Sequence, residues 1–167
     1  MSVKKFLAGL ALGASILLSA GPAAAGPAEI EALIERYYFN IQNGHRADSY
    51  IVDWGSLWAL DAVMEDPADT AFGYMTGRTT IENRLRFGFQ TMFERIDMKP
   101  KQVVIQWTEH RASVLWELNA KFLNAPSVPA DKRGKSVHFY GVTNFVLDAT
   151  DTQIKKQQAI WDYTQVF

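Results

Sequence analysis

Lys101-Gln102-Val103-Val104-Ile105-Gln106-Trp107 and, after a short interruption, Arg111-Ala112-Ser113-Val114-Leu115-Trp116-Glu117-Leu118 decide the fold. Upstream of Pro100 the apolar residues recur at helical spacing, and downstream they recur at every second position. Val103, Ile105 and Trp107 form one such row and Val114, Trp116 and Leu118 the next, the signature of strands with one face in a core. Segments 137–147 and 154–167 continue it, giving three or four long strands. Segment 124–134, with two prolines and a basic tip, reads as a hairpin loop, and Thr150-Asp151-Thr152 as a tighter one.

Working back toward the N-terminus, Ile30, Leu33, Ile34, Tyr37, Tyr38 and Ile41 make one apolar stripe of an amphipathic helix. Pro27 suits its start and Asn43-Gly44 its end. Segment 50–64, with Trp54, Leu57, Trp58 and Leu60, is expected to begin helical and turn extended near Ala62. Asp66-Pro67 stops any helix there, because proline disfavours the α region for its predecessor. A short strand is expected at 72–75. A third helix is expected from Thr79 to about Phe93, with Ile81, Leu85, Phe89 and Met92 or Phe93 facing the core. Helices followed by strands indicate α+β architecture: a curved, mainly antiparallel sheet covered on one face by three N-terminal helices. Such a cone has an open mouth, where apolar pockets often form.

Composition narrows the function. The chain has 167 residues, 48% apolar and 21% charged, which suits one globular domain and excludes disorder. Seventeen basic residues against 18 acidic ones, without a basic cluster, argue against a nucleic-acid partner. With no cysteine, disulfides, thiolate-held metals and thiol catalysis are excluded.

The first 25 residues read as a secretory signal peptide. Lys4-Lys5 precede an apolar run from Phe6 to Leu18, and Ala23-Ala24-Ala25 forms the cleavage site. The run is short for a membrane span, and Gly21-Pro22 interrupts it. The expectation is a single domain, 26–167, that is exported, periplasmic or secreted, and holds no stable membrane anchor after cleavage.

Asp61-Ala62-Val63-Met64-Glu65-Asp66-Pro67 resembles the D-A-x-x-E-D-P segment of ketosteroid isomerases. Glu35-Arg36-Tyr37-Tyr38 with Asn43-Gly44 is similar to their first helix, Gly77-x-x-x-Ile81 to the opening of their third, and 134–148 with 154–161 to their last two strands. Nearly all of the mature chain therefore resembles the nuclear transport factor 2-like superfamily, in its SnoaL-like and ketosteroid isomerase-like branch. About four extra residues separate helix one from Asp61. The short motifs speak for the fold more than for the reaction.

In the resembling isomerases the aspartate of E-D-P is the base that moves a proton between carbons beside a ketone. The resemblance assigns that role to Asp66; its residue type alone equally suits an Asx-type turn before Pro67. Tyr37 takes the position of the oxyanion-stabilising tyrosine, and its alternative is a core aromatic with a satisfied hydroxyl. Tyr38 replaces it if the register moves by one. The isomerases' second oxyanion donor, an aspartic acid in x-D-x-F, falls on Thr143 in Gly141-Val142-Thr143-Asn144-Phe145. A threonine is a weaker and shorter donor, which makes isomerase chemistry harder to sustain. Trp161 matches an aromatic of the steroid pocket and shares a strand face with Ala159 and Gln157. Trp116, Phe145, Tyr38 and His138 complete the implied substrate lining.

Two other readings stay open. One is a non-catalytic periplasmic module binding a small ligand in the same pocket. The other is a polyketide cyclase or dehydratase using Asp162 and His138, since SnoaL-like cyclases pair a late-strand aspartate with a histidine on a neighbouring strand. His45, His110 and His138 lack metal-ligand spacing, and no nucleotide-binding motif is present, so neither metal nor cofactor is expected. Dense aromatics on the sheet, together with the resemblance, imply a homodimer. The expected ligand is small and apolar or ketone-bearing.

Overall fold

Pro27–Asn43 forms the first helix, α1, in the computed structural model, which describes residues 26–46, 52–66 and 73–162. Proline is tolerated at the first turn because its missing N–H would have no intrahelical partner there. The Glu29 carboxylate accepts the Gly26 N–H at 2.7 Å. All six residues of the predicted stripe are buried, joined by Asn40, whose side-chain amide donates to the Asp53 carbonyl at 2.8 Å. The second helix, α2, spans Arg78–Met92 and starts at Gly77, whose φ of 86° favours glycine. Ile81 and Met92 are buried, and Leu85, Phe89 and Phe93 pack partly against the core.

The described residues hold two α-helices, not three. Between Trp54 and Trp58 only a single 3-10 turn forms, Gly55–Leu57, and strand β1, Trp58–Glu65, starts earlier than Ala62. Parallel pairing with the last strand satisfies this backbone, so tertiary hydrogen bonds override the local helical pattern. Position 50, Pro67, Phe72, the expected leader 1–25 and the tail 163–167 lie outside the described residues.

The other strands are β2 (Tyr74–Thr76), β3 (Phe93–Gln106), β4 (Arg111–Phe122), β5 (Ser136–Leu147) and β6 (Ile154–Trp161). They form one six-stranded sheet in the order β2-β1-β6-β5-β4-β3, antiparallel except where β1 runs parallel to β6. β3 begins well before Pro100, because an edge strand with a register shift at Pro100/Gln102 tolerates the missing N–H. Trp107 leaves the strand for a 3-10 turn, Trp107–Glu109. Along β4 burial alternates without a break: Ala112, Val114, Trp116, Leu118, Ala120 and Phe122 face inward.

Against that inner face the helices bury Trp54, Trp58, Tyr38, Phe122 and Phe145. The Trp54 ring stacks on Phe89 at 5.8 Å and 7°. Burying each such side chain contributes about 1.5–3 kcal/mol, which lets a core without disulfides hold the cone closed at this end.

Candidate functional site

Asp66 lies just past the end of β1 and Trp161 at the end of β6. Because these strands are parallel neighbours, with Glu65 opposite Gln158, their C-terminal ends reach the same side of the sheet. The Trp161 indole Nε1 donates to both Asp66 oxygens, at 3.1 Å and 3.0 Å. The Asp66 backbone N–H donates to the Gly73 carbonyl at 2.8 Å, anchoring this turn to the approach of β2. Asp66 is half-buried, and it opens on a cavity of about 170 Å³ between the sheet and the helices.

The walls are mostly apolar. Met64, Met75, Met92 and Met98 all line the cavity, so every methionine after Met1 meets here. Flexible, polarisable thioethers adapt to ligands of varied outline. Phe89, Phe93 and Phe139 add flat surface.

Polar groups enter from three directions. From α1, the Tyr37 hydroxyl donates to Gln157 Oε1 at 3.1 Å. Burial above all, then Tyr38 and the negative charge of Asp66, hold the Tyr37 phenol well above the ordinary tyrosine value; the bond to Gln157 acts the other way. The phenol therefore stays protonated and is a donor at any physiological pH. From the sheet, Trp116 Nε1 donates to Thr143 Oγ1 at 2.9 Å, leaving the threonine hydroxyl proton for another acceptor. Trp116 packs so closely on β5 that a Cβ at Gly141 would clash with its indole ring. From α2, Arg84 reaches the lining across Gly88, where a Cβ would meet its Nη1 at 2.9 Å.

Of the residues that the sequence singles out, Asp66, Tyr37, Thr143, Trp116 and Trp161 share this one cavity. Tyr38 does not line it. Its ring is buried beside Tyr37, burial raises its phenol, and its contact with Thr143 falls short of hydrogen-bond geometry. Phe145 sits behind the site, edge-to-face with Tyr37 at 5.0 Å. His138 corrects the implied lining. The pleat turns it to the outer face of the sheet, where its Nε2 pairs with Glu117 Oε1 at 2.9 Å. Lys101 first, and then His138, hold the Glu117 carboxyl down to about 2. Asp162 is exposed beyond β6, and neither it nor His138 lines the cavity.

The sequence reading missed Arg84 and the four methionines, and met Gln157 only as a face-mate of Trp161. The signal for the methionines was present in their number, but they are scattered over β1, β2, α2 and β3. Only the folded curvature of the sheet gathers them.

No family model and no curated protein matches the sequence. Solved structures do match. A candidate SnoaL-like polyketide cyclase from Jannaschia sp. CCS1 superposes with a TM-score of 0.65 at 15% identity, covering 85% of this chain and 95% of that one. An NTF2-like protein of unknown function from Exiguobacterium sp. 255-15 superposes at 0.59 and 17% identity, covering 78% and 98%. The chain has the NTF2-like fold. A hypothetical protein with a ketosteroid isomerase-like fold from Catenulispora acidiphila DSM 44928, in complex with trimethylamine, superposes at 0.60 and 14% identity, covering 80% and 88%. In the NTF2-like cone of this chain, the cavity with Asp66 and Tyr37 lies between the curved sheet and both helices.

Proposed function

We propose that this NTF2-like domain is an isomerase-type enzyme that moves a proton on a small, apolar, ketone-bearing molecule. The observation that carries the reading is the meeting of the Asp66 carboxylate and the Tyr37 phenol in one methionine- and aromatic-lined cavity. Asp66 takes a proton from the carbon beside the carbonyl. The C–H electron pair moves into the carbon–carbon bond and the carbonyl π pair onto oxygen, giving an enolate. Tyr37, whose one O–H turns from Gln157 Oε1 to the ligand, and Thr143 stabilise that oxygen, where each well-aimed donor is worth about 2.7–4 kcal/mol. Protonated Asp66 then returns its proton to a second carbon of the conjugated system, the electrons flow back, and the carbonyl re-forms. The indole N–H of Trp161 holds the carboxylate in a fixed orientation while the proton travels.

The test is turnover of a β,γ-unsaturated cyclic ketone, followed by the ultraviolet absorption of the conjugated product. Wild type converts it, and Asp66→Asn binds it without conversion. Equal turnover by both removes Asp66 from the chemistry; binding without turnover by both favours a binding module.

The same reading takes the chain as exported, with residues 1–25 removed, and as a homodimer. Leu115, Val142 and Ile160 lie in register across β4, β5 and β6 on the outer face, with Tyr140 beside them. Leu115, Tyr140 and Ile160 are exposed there. A second copy of this face is the occupant we assign to that patch.

A further inference from the structure

Gln157 is a primary amide set among apolar neighbours. It is only 4% exposed, faces Phe145 across β5 and Met64 across β1, and lines the cavity. An amide offers an oxygen acceptor and two N–H donors. Its Oε1 accepts from the Tyr37 hydroxyl. Among the described residues no acceptor meets its Nε2. The Nε2 is not sealed off in the core, and on the cavity wall it is open to a ligand atom that completes it. Tyr37 also fixes which end of the amide is presented. A phenol that donates to the amide oxygen turns the –NH2 group away from itself.

We propose that Gln157 contacts the ligand directly, its Nε2 donating to the same carbonyl oxygen that becomes the enolate. This rests on the carbonyl-binding reading above and adds to it a residue that neither the motif resemblance nor the comparisons assign. In this chain the amide on β6 takes the second-donor role that the resemblance gives to position 143. Thr143, its oxygen already engaged by Trp116, becomes the lesser contact. The inner end of the cavity is then rich in donors: the Gln157 amide, the Thr143 hydroxyl and the Tyr37 phenol. It selects oxygen acceptors such as ketones, enolates and phenolates over amines.

The test uses the full chain with two bicyclic probes, 2-naphthol and naphthalene. Binding is followed by quenching of tryptophan fluorescence, and ionisation of bound naphthol by its absorption across pH. Wild type is expected to bind 2-naphthol at least tenfold more tightly than naphthalene. Bound naphthol should ionise at lower pH than free naphthol. Gln157→Leu keeps naphthalene affinity, loses at least tenfold toward 2-naphthol, and loses the ionisation preference. If Gln157→Leu loses naphthalene as well, Gln157→Met, unbranched and of similar length, carries the comparison. Gln157→Glu exchanges donor for acceptor and rejects the naphtholate. A leucine or methionine variant that keeps wild-type naphthol affinity and its ionisation shift overturns the role of Gln157 alone. Wild type that binds 2-naphthol no better than naphthalene overturns the carbonyl-binding reading itself, so the two failures are distinct.

Discussion

Trp161 and Asp66 are joined by a bifurcated hydrogen bond, one indole N–H shared between two carboxylate oxygens at 3.1 Å and 3.0 Å. The bond exists because β6 runs parallel to β1, so two residues far apart in sequence finish on the same rim. Hydrogen bonds to charged groups contribute about 1.5–3 kcal/mol. Trp161→Phe keeps an aromatic wall and removes only the donor. Turnover of the ketone should fall about tenfold to a hundredfold with the Michaelis constant little changed, as steady-state kinetics will show. An unchanged turnover number means that Trp161 does not orient the base.

Gly141 is where β5 makes room for the Trp116 indole. Gly141→Ala must push that ring into the cavity or off the strand. Overpacking of this kind costs about 1–3 kcal/mol. Denaturant unfolding should register the loss, and the Trp116–Thr143 hydrogen bond should go with it, seen as a shift of the indole N–H resonance.

Burial holds the Tyr37 and Tyr38 phenols above the ordinary tyrosine value. An unfolded chain would release these protons from about pH 10 upward, while the native chain retains them. Over that window the native state binds more protons, so stability falls as pH rises; below it these groups add no pH dependence. Tyr38→Phe should flatten the alkaline decline. It also removes a buried hydroxyl that has no hydrogen-bond partner among the described residues. The variant should gain about 1 kcal/mol at neutral pH. Unfolding followed from neutral to alkaline pH checks both, and a steeper decline in the variant contradicts the account.

The proposed second copy on the outer face predicts a specific sensitivity. Ile160 stands exposed beside Val142 in register. Ile160→Glu sets like charges across a twofold interface and should convert a dimer to a monomer by analytical ultracentrifugation. Its own side chain points away from the cavity, so the variant should remain folded by circular dichroism. A wild type that sediments as a monomer rules the interface out.

The alternation of Val114, Trp116 and Leu118 was legible in sequence because one-sided burial imposes a period of two, and α1 was legible because its stripe has a helix's period. Segment 52–58 was not. Its tryptophans suit a helix or a strand, and the choice falls to pairing with β6, which no local window contains. At the site, Asp66, Tyr37 and Thr143 could be picked out by motif. His138 was misplaced because a resemblance names a strand while the pleat decides its face. Gln157 is chemically quiet in sequence, and only its burial against Tyr37 makes it conspicuous. The four methionines illustrate the same point, since a shared cavity leaves no spacing to read.

The central claim, that Asp66 exchanges a proton with a carbon acid beside Tyr37, is tested most directly by deuterium wash-in. A cyclic ketone is incubated with the protein in heavy water, and loss of its α-proton signal is followed by proton NMR. Wild type should exchange the α-protons well above the buffer rate, and Asp66→Asn should return exchange to that of buffer while still binding the ketone. Exchange at the buffer rate with saturating wild type, or equal acceleration by both proteins, contradicts it.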